Sequence, residues 1–128
     1  MKRGSQEIAQ RLSAGRRSPN RNYIVNVVDQ ACEILQNNLH QSMDIKELAA
    51  NLYVSYSWFR KVFKVQPGEA PSEYHLNRRI QKSIDLLRNT DLSIRNISEE
   101  LGFKSQNHFS ALFKRKTGHA LSMERNRS

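Results

Sequence analysis

At 128 residues, 38% of them hydrophobic and 26% charged, the chain has room for one domain or two very small ones around a core. No apolar run approaches the roughly 20 residues that cross a bilayer, no continuous apolar segment of the kind a secretory leader requires follows Met1-Lys2-Arg3, and the single cysteine, Cys32, rules out a disulfide framework or a cysteine-rich zinc site. Twenty-one Lys and Arg against 12 Asp and Glu leave a net charge of +9, and a small basic domain of this kind meets a polyanion (DNA, RNA or an anionic membrane surface) unless the charge only solubilises it.

Residues 1–22 are polar and basic, broken by Gly4, Gly15 and Pro19, and read as a tail or linker in which Ile8 and Leu12 allow a short helix. From Tyr23, the positions Ile24, Val27, Val28, Ala31 and Leu35 recur with helical period, predicting a helix to about Leu39 with Cys32 on or beside its buried stripe. Asp44 and Glu47 form a capping box with Asp in place of Ser, opening a helix that carries Ile45, Leu48, Ala49 and Leu52. A break at Tyr53-Val54 follows, and Ser55 caps a second helix with Phe59, Val62 and Phe63, ending before Pro67-Gly68. Pro71 suits a first helical turn, and Leu76, Ile80, Ile84 and Leu87 line one face of a long helix finishing near Asn89-Thr90. Ser93 caps a helix with Ile94, Ile97, Ser98 and Leu101; Gly102 makes a turn; Ser105 caps the last strong helix, with Phe109, Leu112 and Phe113 inward. The expectation is an all-α fold of seven helices without strands.

Part of this pattern occurs twice. LGFKSQNHFSALFKRKTG, Leu101–Gly118, repeats LYVSYSWFRKVFKVQPG, Leu52–Gly68: Ser55 and Ser105, Phe59 and Phe109, Phe63 and Phe113, Lys64 and Lys114, Gly68 and Gly118 all stand 50 apart. Upstream, Leu48 and Ile97, and Leu52 and Leu101, stand 49 apart, so the second turn has gained one residue. Two helices joined by a short turn, the second opened by Ser, form a helix-turn-helix pattern, whose second helix enters the DNA major groove. Its outward positions in the first copy are Ser57, Arg60, Lys61 and Lys64, and Arg or Lys donates to guanine O6 and N7. In the second copy they are Gln106, Asn107, Ser110, Ala111 and Lys114, and Gln or Asn pairs with adenine N6 and N7. Different side chains on one scaffold read different base pairs, so two such helices about 34 Å apart, spaced by the long middle helix, suit an asymmetric site.

Plainer readings compete at several of these positions. Arg60 and Lys61 also fit a solvated helix face, and Gln106 and Asn107 fit ordinary surface polarity. Trp58 fits either packing or contact with the DNA backbone or a thymine methyl. Phe59, Phe63, Phe109 and Phe113 read as core rather than as stacking platforms. His40, His75, His108 and His119 lack ligand spacing, so no metal is expected, though His108 stands within reach of DNA. Without a carboxylate pair, a nucleophile beside a base or a phosphate-cradling glycine loop, no enzyme and no cofactor are expected.

From about Asp44 to Arg125 the chain resembles the DNA-binding domain of the AraC/XylS family of bacterial transcription regulators, most specifically in the run I-x-x-I-[AS]-x-x-x-G-F-x-[SD]-Q-x-x-F-x-x-x-F-[KR]-x-x-x-G, which stands here as Ile94 to Gly118. The resemblance implies a seven-helix, all-α bundle of two helix-turn-helix subdomains joined by a long central helix. The domain would span 23–126, with the first motif about 45–66, the connecting helix about 71–89 and the second motif about 94–116. It implies base reading by Ser57, Arg60, Lys61, Gln106, Asn107, Ser110 and Ala111, and phosphate contacts from Ser55, Trp58, Lys64, Ser105, His108 and Lys114. It further implies double-stranded DNA and RNA polymerase as partners, no membrane and a nucleoid-associated place in a bacterial cytoplasm. Either the chain is the C-terminal part of a longer regulator, with a sensor or dimerisation domain upstream of a 1–22 linker whose QEIAQRL is a remnant of the last sensor helix, or it is a stand-alone one-domain member. Three departures carry expectations of their own. Tyr53 stands in the first turn where the family often has glycine, and strains it if φ is positive. Leu121 and Glu124 replace parts of a closing P-x-x-Y-R, of which Arg125 remains, predicting a frayed or repacked last helix. Ala111 is small where some members place arginine, predicting fewer base contacts in the second unit.

Overall fold

The computed structural model describes residues 21–126. The expected tail, with its short helix around Ile8 and Leu12, lies outside them except for Arg21 and Asn22, which already belong to the first helix. The described residues form seven helices and no strand: α1 (Arg21–Gln36), α2 (Ile45–Asn51), α3 (Tyr56–Val65), α4 (Pro71–Asn89), α5 (Ile94–Glu100), α6 (Gln106–Thr117) and α7 (Leu121–Asn126). Helix α1 stops at Gln36 rather than Leu39, giving way to a turn over 37–40. The helices divide between two compact units: the described residues through Leu35 together with Met43–Glu73, and Gln36–Ser42 together with the described residues from Tyr74 on.

In the first unit, α1 buries Tyr23, Val27, Val28, Ala31 and Leu35, the stripe that its periodicity predicts. Helix α2 has only 7 residues, too few to hold itself together without packing and caps. Asp44 Oδ1 accepts the Glu47 amide at 3.2 Å, and Leu48 and Ala49 are buried. Small Ala49 leaves space for the next element. The turn closes where the Val54 amide donates to the Ala49 carbonyl at 3.1 Å, and Ser55 Oγ then accepts the Trp58 amide at 3.1 Å to start α3. Phe59 and Phe63 are fully buried with ring centres 5.2 Å apart, each removing enough apolar surface from water to contribute about 1.5–3 kcal/mol.

The second unit repeats this plan. Its core gathers Ile80 and Leu87 from α4, Ile97 from α5, Leu101 and Phe103 from the turn, Phe109 and Phe113 from α6, and Leu121 from α7. Ser93 Oγ accepts the Asn96 amide and Ser105 Oγ the His108 amide, both at 3.0 Å. The Phe103 amide donates to the Ser98 carbonyl at 3.0 Å, the counterpart of the bond from Val54 to Ala49. Register is therefore kept at an offset of 49 through Val54 and Phe103 and becomes 50 at Ser55 and Ser105, which identifies the gained residue as Lys104.

The corresponding turn residues, Tyr53 and Gly102, both have positive φ, 62° and 71°. The positive φ that strains Tyr53 is present, and its 48% exposed side chain shows that this turn leaves room for a Cβ. Gly102 has no such freedom. A Cβ there would run into the His40 carbonyl and stand 2.7 Å from Gln41 Cα, so this turn needs glycine for space as well as for dihedral angle.

Helix α7 is repacked, not frayed. Leu121 enters the core and Glu124 is 1% exposed. Arg88 Nε donates to Glu124 Oε2 at 2.6 Å and His119 Nε2 to Oε1 at 2.5 Å. These bonds, His119 first, hold the Glu124 carboxyl below its ordinary range against burial, which pushes it up. Arg125, the residue kept from the family pattern, donates to the carbonyls of Leu87 and Thr90 at 3.1 and 3.2 Å, satisfying orphan acceptors at the end of α4.

Candidate nucleic-acid interface

Each unit presents one helix, opened by a serine and buried along a phenylalanine stripe, whose opposite face is polar or basic. On α3, Phe59 and Phe63 fix the inward side, and Ser57, Arg60, Lys61 and Lys64 are all exposed. Trp58 is half-buried: its ring centre lies 5.8 Å from that of Tyr23, the first buried residue of α1. Packing thus accounts for part of Trp58, while its outer edge remains accessible. Ser55 is exposed although its hydroxyl oxygen caps the helix, so the hydroxyl hydrogen is available to an external acceptor.

On α6, Gln106, Asn107, His108, Ala111 and Lys114 are exposed and Ser110 is half-buried. Phe109 and Phe113 hold the helix by its other face, and Phe103 stacks on Phe109 with ring centres 4.8 Å apart. The His108 ring stands edge-on to Phe103 at 6.4 Å. The last turn carries Lys114, Arg115 and Lys116, cations at the negative end of the helix dipole. Beside the first turn of α6, Arg95, Ser98, Glu99, Phe103, Lys104, Ser105 and Gln106 line a hollow of about 390 Å³.

All the residues expected on the two outward faces thus lie there, Ser110 and Trp58 being the partly covered ones. Four others belong to the same surfaces or brace them and did not stand out from sequence. Tyr56 gathers Lys46 and Arg60: Lys46 Nζ lies 5.5 Å and the Arg60 guanidinium carbon 5.7 Å from the centre of the Tyr56 ring. The signal for Tyr56 was its i, i+4 spacing to Arg60 on a helix. Lys104 is the residue gained in the second turn, exposed immediately before the Ser105 cap. Arg79, from α4, is buried and donates to the Leu101 carbonyl; nothing in a helical pattern distinguishes such an arginine from a solvated one. Among the described residues no group of three or more His, Cys, Asp or Glu could hold a metal ion, and no helix is long and apolar enough to cross a membrane.

Comparison with known proteins places this architecture. The helix-turn-helix domain family matches residues 30–127. Over 108 residues the chain is 31% identical to the uncharacterized HTH-type transcriptional regulator YidL of Escherichia coli K12, covering 84% of this chain and 35% of that protein. The chain spans about a quarter to a third of the length of the curated relatives it matches. Among solved structures, an AraC-type DNA-binding-domain transcriptional regulator from Chromobacterium violaceum is 26% identical with a TM-score of 0.74, covering 80% of this chain and 91% of that one. The DNA-binding domain of AdpA, a global transcriptional factor, solved in complex with a target DNA, is 28% identical with a TM-score of 0.68 and covers 81% of this chain and 90% of that one. These proteins are regulators rather than enzymes, in line with the expectation for this chain. Duplicated capped helices, two phenylalanine-anchored outward faces and these matches converge: the chain belongs to the AraC-type family of helix-turn-helix DNA-binding domains.

Proposed function

We propose that the chain binds double-stranded DNA sequence-specifically and regulates transcription, each of its two recognition helices reading its own segment of one asymmetric site. The observation that carries this reading is the duplicated helix-turn-helix unit with unlike outward side chains. Arg60 and Lys61, with Ser57, suit guanine-containing steps; Gln106 and Asn107, with Ser110 and the small Ala111, suit adenine and thymine edges. Ser55, Trp58 and Lys64 on α3, and Ser105, His108 and Lys114 on α6, take phosphates and set register rather than sequence. The structural neighbour bound to its target DNA supports the same reading.

In this proposal residues 23–126 are the DNA-binding domain and 1–22 a linker following a sensor or dimerisation domain of a longer regulator. RNA polymerase is the second partner, and the site of action is the nucleoid in a bacterial cytoplasm.

Selection from a random duplex library at about 0.15 M salt, where exposed charges are largely screened, tests the core of the reading. The expected product is an asymmetric consensus with two clusters about 10 base pairs apart. Tight binding without enrichment would identify a non-specific binder instead. A single cluster would reduce one helix to a backbone anchor.

A further inference from the structure

The first recognition helix has an aromatic residue at its surface that the core does not use. Tyr56, the first residue of α3, is 38% exposed, and two cations lie over its ring. Lys46 reaches it from α2, with Nζ 5.5 Å from the ring centre, and Arg60 from one turn further along α3, with its guanidinium carbon at 5.7 Å. Both distances fall within the range at which a ring's quadrupole attracts a cation. Without the ring, each of these long side chains would sample many rotamers; with it, each is drawn toward the ring. Arginine benefits most, because its planar fork makes two parallel hydrogen bonds only when its orientation is fixed.

The second copy lacks this device. Tyr56 and Arg60 correspond to Gln106 and Ser110 at the offset of 50, and Lys46 corresponds to Arg95 at the offset of 49. Arg95 is instead paired with Glu99 at 3.3 Å. The arrangement at Tyr56 therefore does not follow from the shared scaffold.

We propose that Tyr56 is a specificity-determining residue of α3, a positioning group that orients Arg60 toward a guanine edge and holds Lys46 at the same ring for a flanking phosphate. This rests on Arg60 reading a base, as proposed above, and adds the residue that makes the reading selective.

The test measures binding of this chain to its selected duplex and to each single-base-pair variant, for the wild type, Tyr56→Ala, Tyr56→Phe, Arg60→Ala and the double variant Tyr56→Ala/Arg60→Ala. Tyr56→Ala is expected to relax preference at the base pairs that Arg60→Ala relaxes, by roughly two- to fivefold, the strength of an exposed cation–ring contact. Tyr56→Phe keeps the ring face and should keep the preference. In the Arg60→Ala background, Tyr56→Ala should change nothing further at those base pairs. Uniform weakening on every duplex, relaxation at different base pairs, or failure of Phe to rescue would overturn the role of Tyr56 while leaving base reading by Arg60 intact. If Arg60→Ala itself leaves every preference in place, base reading by Arg60 fails, and the role of Tyr56 fails with it. Thermal melts of each variant separate these outcomes from loss of fold.

Discussion

Arg79 directs both Nε and Nη2 at one acceptor, the carbonyl oxygen of Leu101, at 3.0 and 2.6 Å. Leu101 is the C-cap of α5, so the arginine satisfies a helix-end carbonyl where the second turn begins. Its guanidinium also lies 4.2 Å from the ring centre of Phe103, two residues on. The side chain is 6% exposed. Arg79→Met should therefore destabilise the second unit by about 2–3 kcal/mol, because the carbonyl keeps its burial and loses a charged donor. Arg79→Lys should recover only part of this, since an ammonium cannot place two donors in the same fork. Urea unfolding measures both. A loss under about 0.5 kcal/mol for Arg79→Met, the range of neutral surface changes, would show that water replaces the guanidinium without penalty.

His75 sits in the same unit, 4% exposed, with Nε2 donating to the Asn38 carbonyl at 2.9 Å. Burial lowers its pKa below the ordinary 6.5, the Asn38 bond opposes this, and the charge on Arg79 adds to the lowering. As pH falls through that ordinary value, the unfolded chain takes up a proton that the folded chain still refuses. The contribution of His75 is thus fully present above about pH 6.5 and is lost below it, with a slope of at most about 1.4 kcal/mol per pH unit. Melting curves between pH 7.5 and 5.5, a window above the carboxylate range, should show a falling Tm that flattens in His75→Gln. Equal slopes in the two proteins would assign the acid sensitivity elsewhere.

How much of this was legible beforehand depended on whether a residue's role was local. The serine and aspartate caps, the phenylalanine stripes and the glycine turn are encoded within a few residues, and each helix starts within a residue or two of where these signals place it. Outward faces follow from the inward ones, so Ser57, Arg60, Lys61, Gln106 and Asn107 could be placed without knowing what packs behind them. Contacts between residues far apart in sequence carried no such signal. Arg79 bonds a carbonyl 22 positions away, Glu124 is satisfied by an arginine 36 positions away, and Lys46 meets Tyr56 across a turn. Glu124 is the instructive case. As a carboxylate where an aromatic residue is usual, it predicted a frayed or repacked helix without deciding between them, and Arg88 and His119 supply the donors that make its burial tolerable.

The paired turns offer a comparison within one molecule. Gly102→Ala places a methyl group against the His40 carbonyl and Gln41 at a backbone φ of 71°, so it should cost at least about 2 kcal/mol, with steric overlap added to dihedral strain. Tyr53→Gly relieves strain of about 1–2 kcal/mol at an exposed site but loosens the unfolded chain by about 0.5–1 kcal/mol. The net expectation is no change to a gain of about 1 kcal/mol, read by urea unfolding. A clear loss in Tyr53→Gly would mean that the tyrosine ring makes a contact outweighing its strain.

Salt dependence separates positioning contacts from reading contacts. With about 6 to 8 phosphates neutralised, log Kd against log salt concentration should change with a magnitude of about 5 to 7, because each contact releases close to one condensed counterion. Lys64 and Lys114 are exposed at equivalent places on α3 and α6. Lys64→Gln and Lys114→Gln should each flatten the slope by about 1 and weaken specific and random duplexes alike. Arg60→Ala should instead lower the ratio between them, at a cost of about 1–3 kcal/mol on the specific duplex. Fluorescence anisotropy titrations at several salt concentrations, on both duplexes, distinguish the two classes. A Lys variant that keeps the slope but loses base preference would move that lysine from the phosphate to the groove.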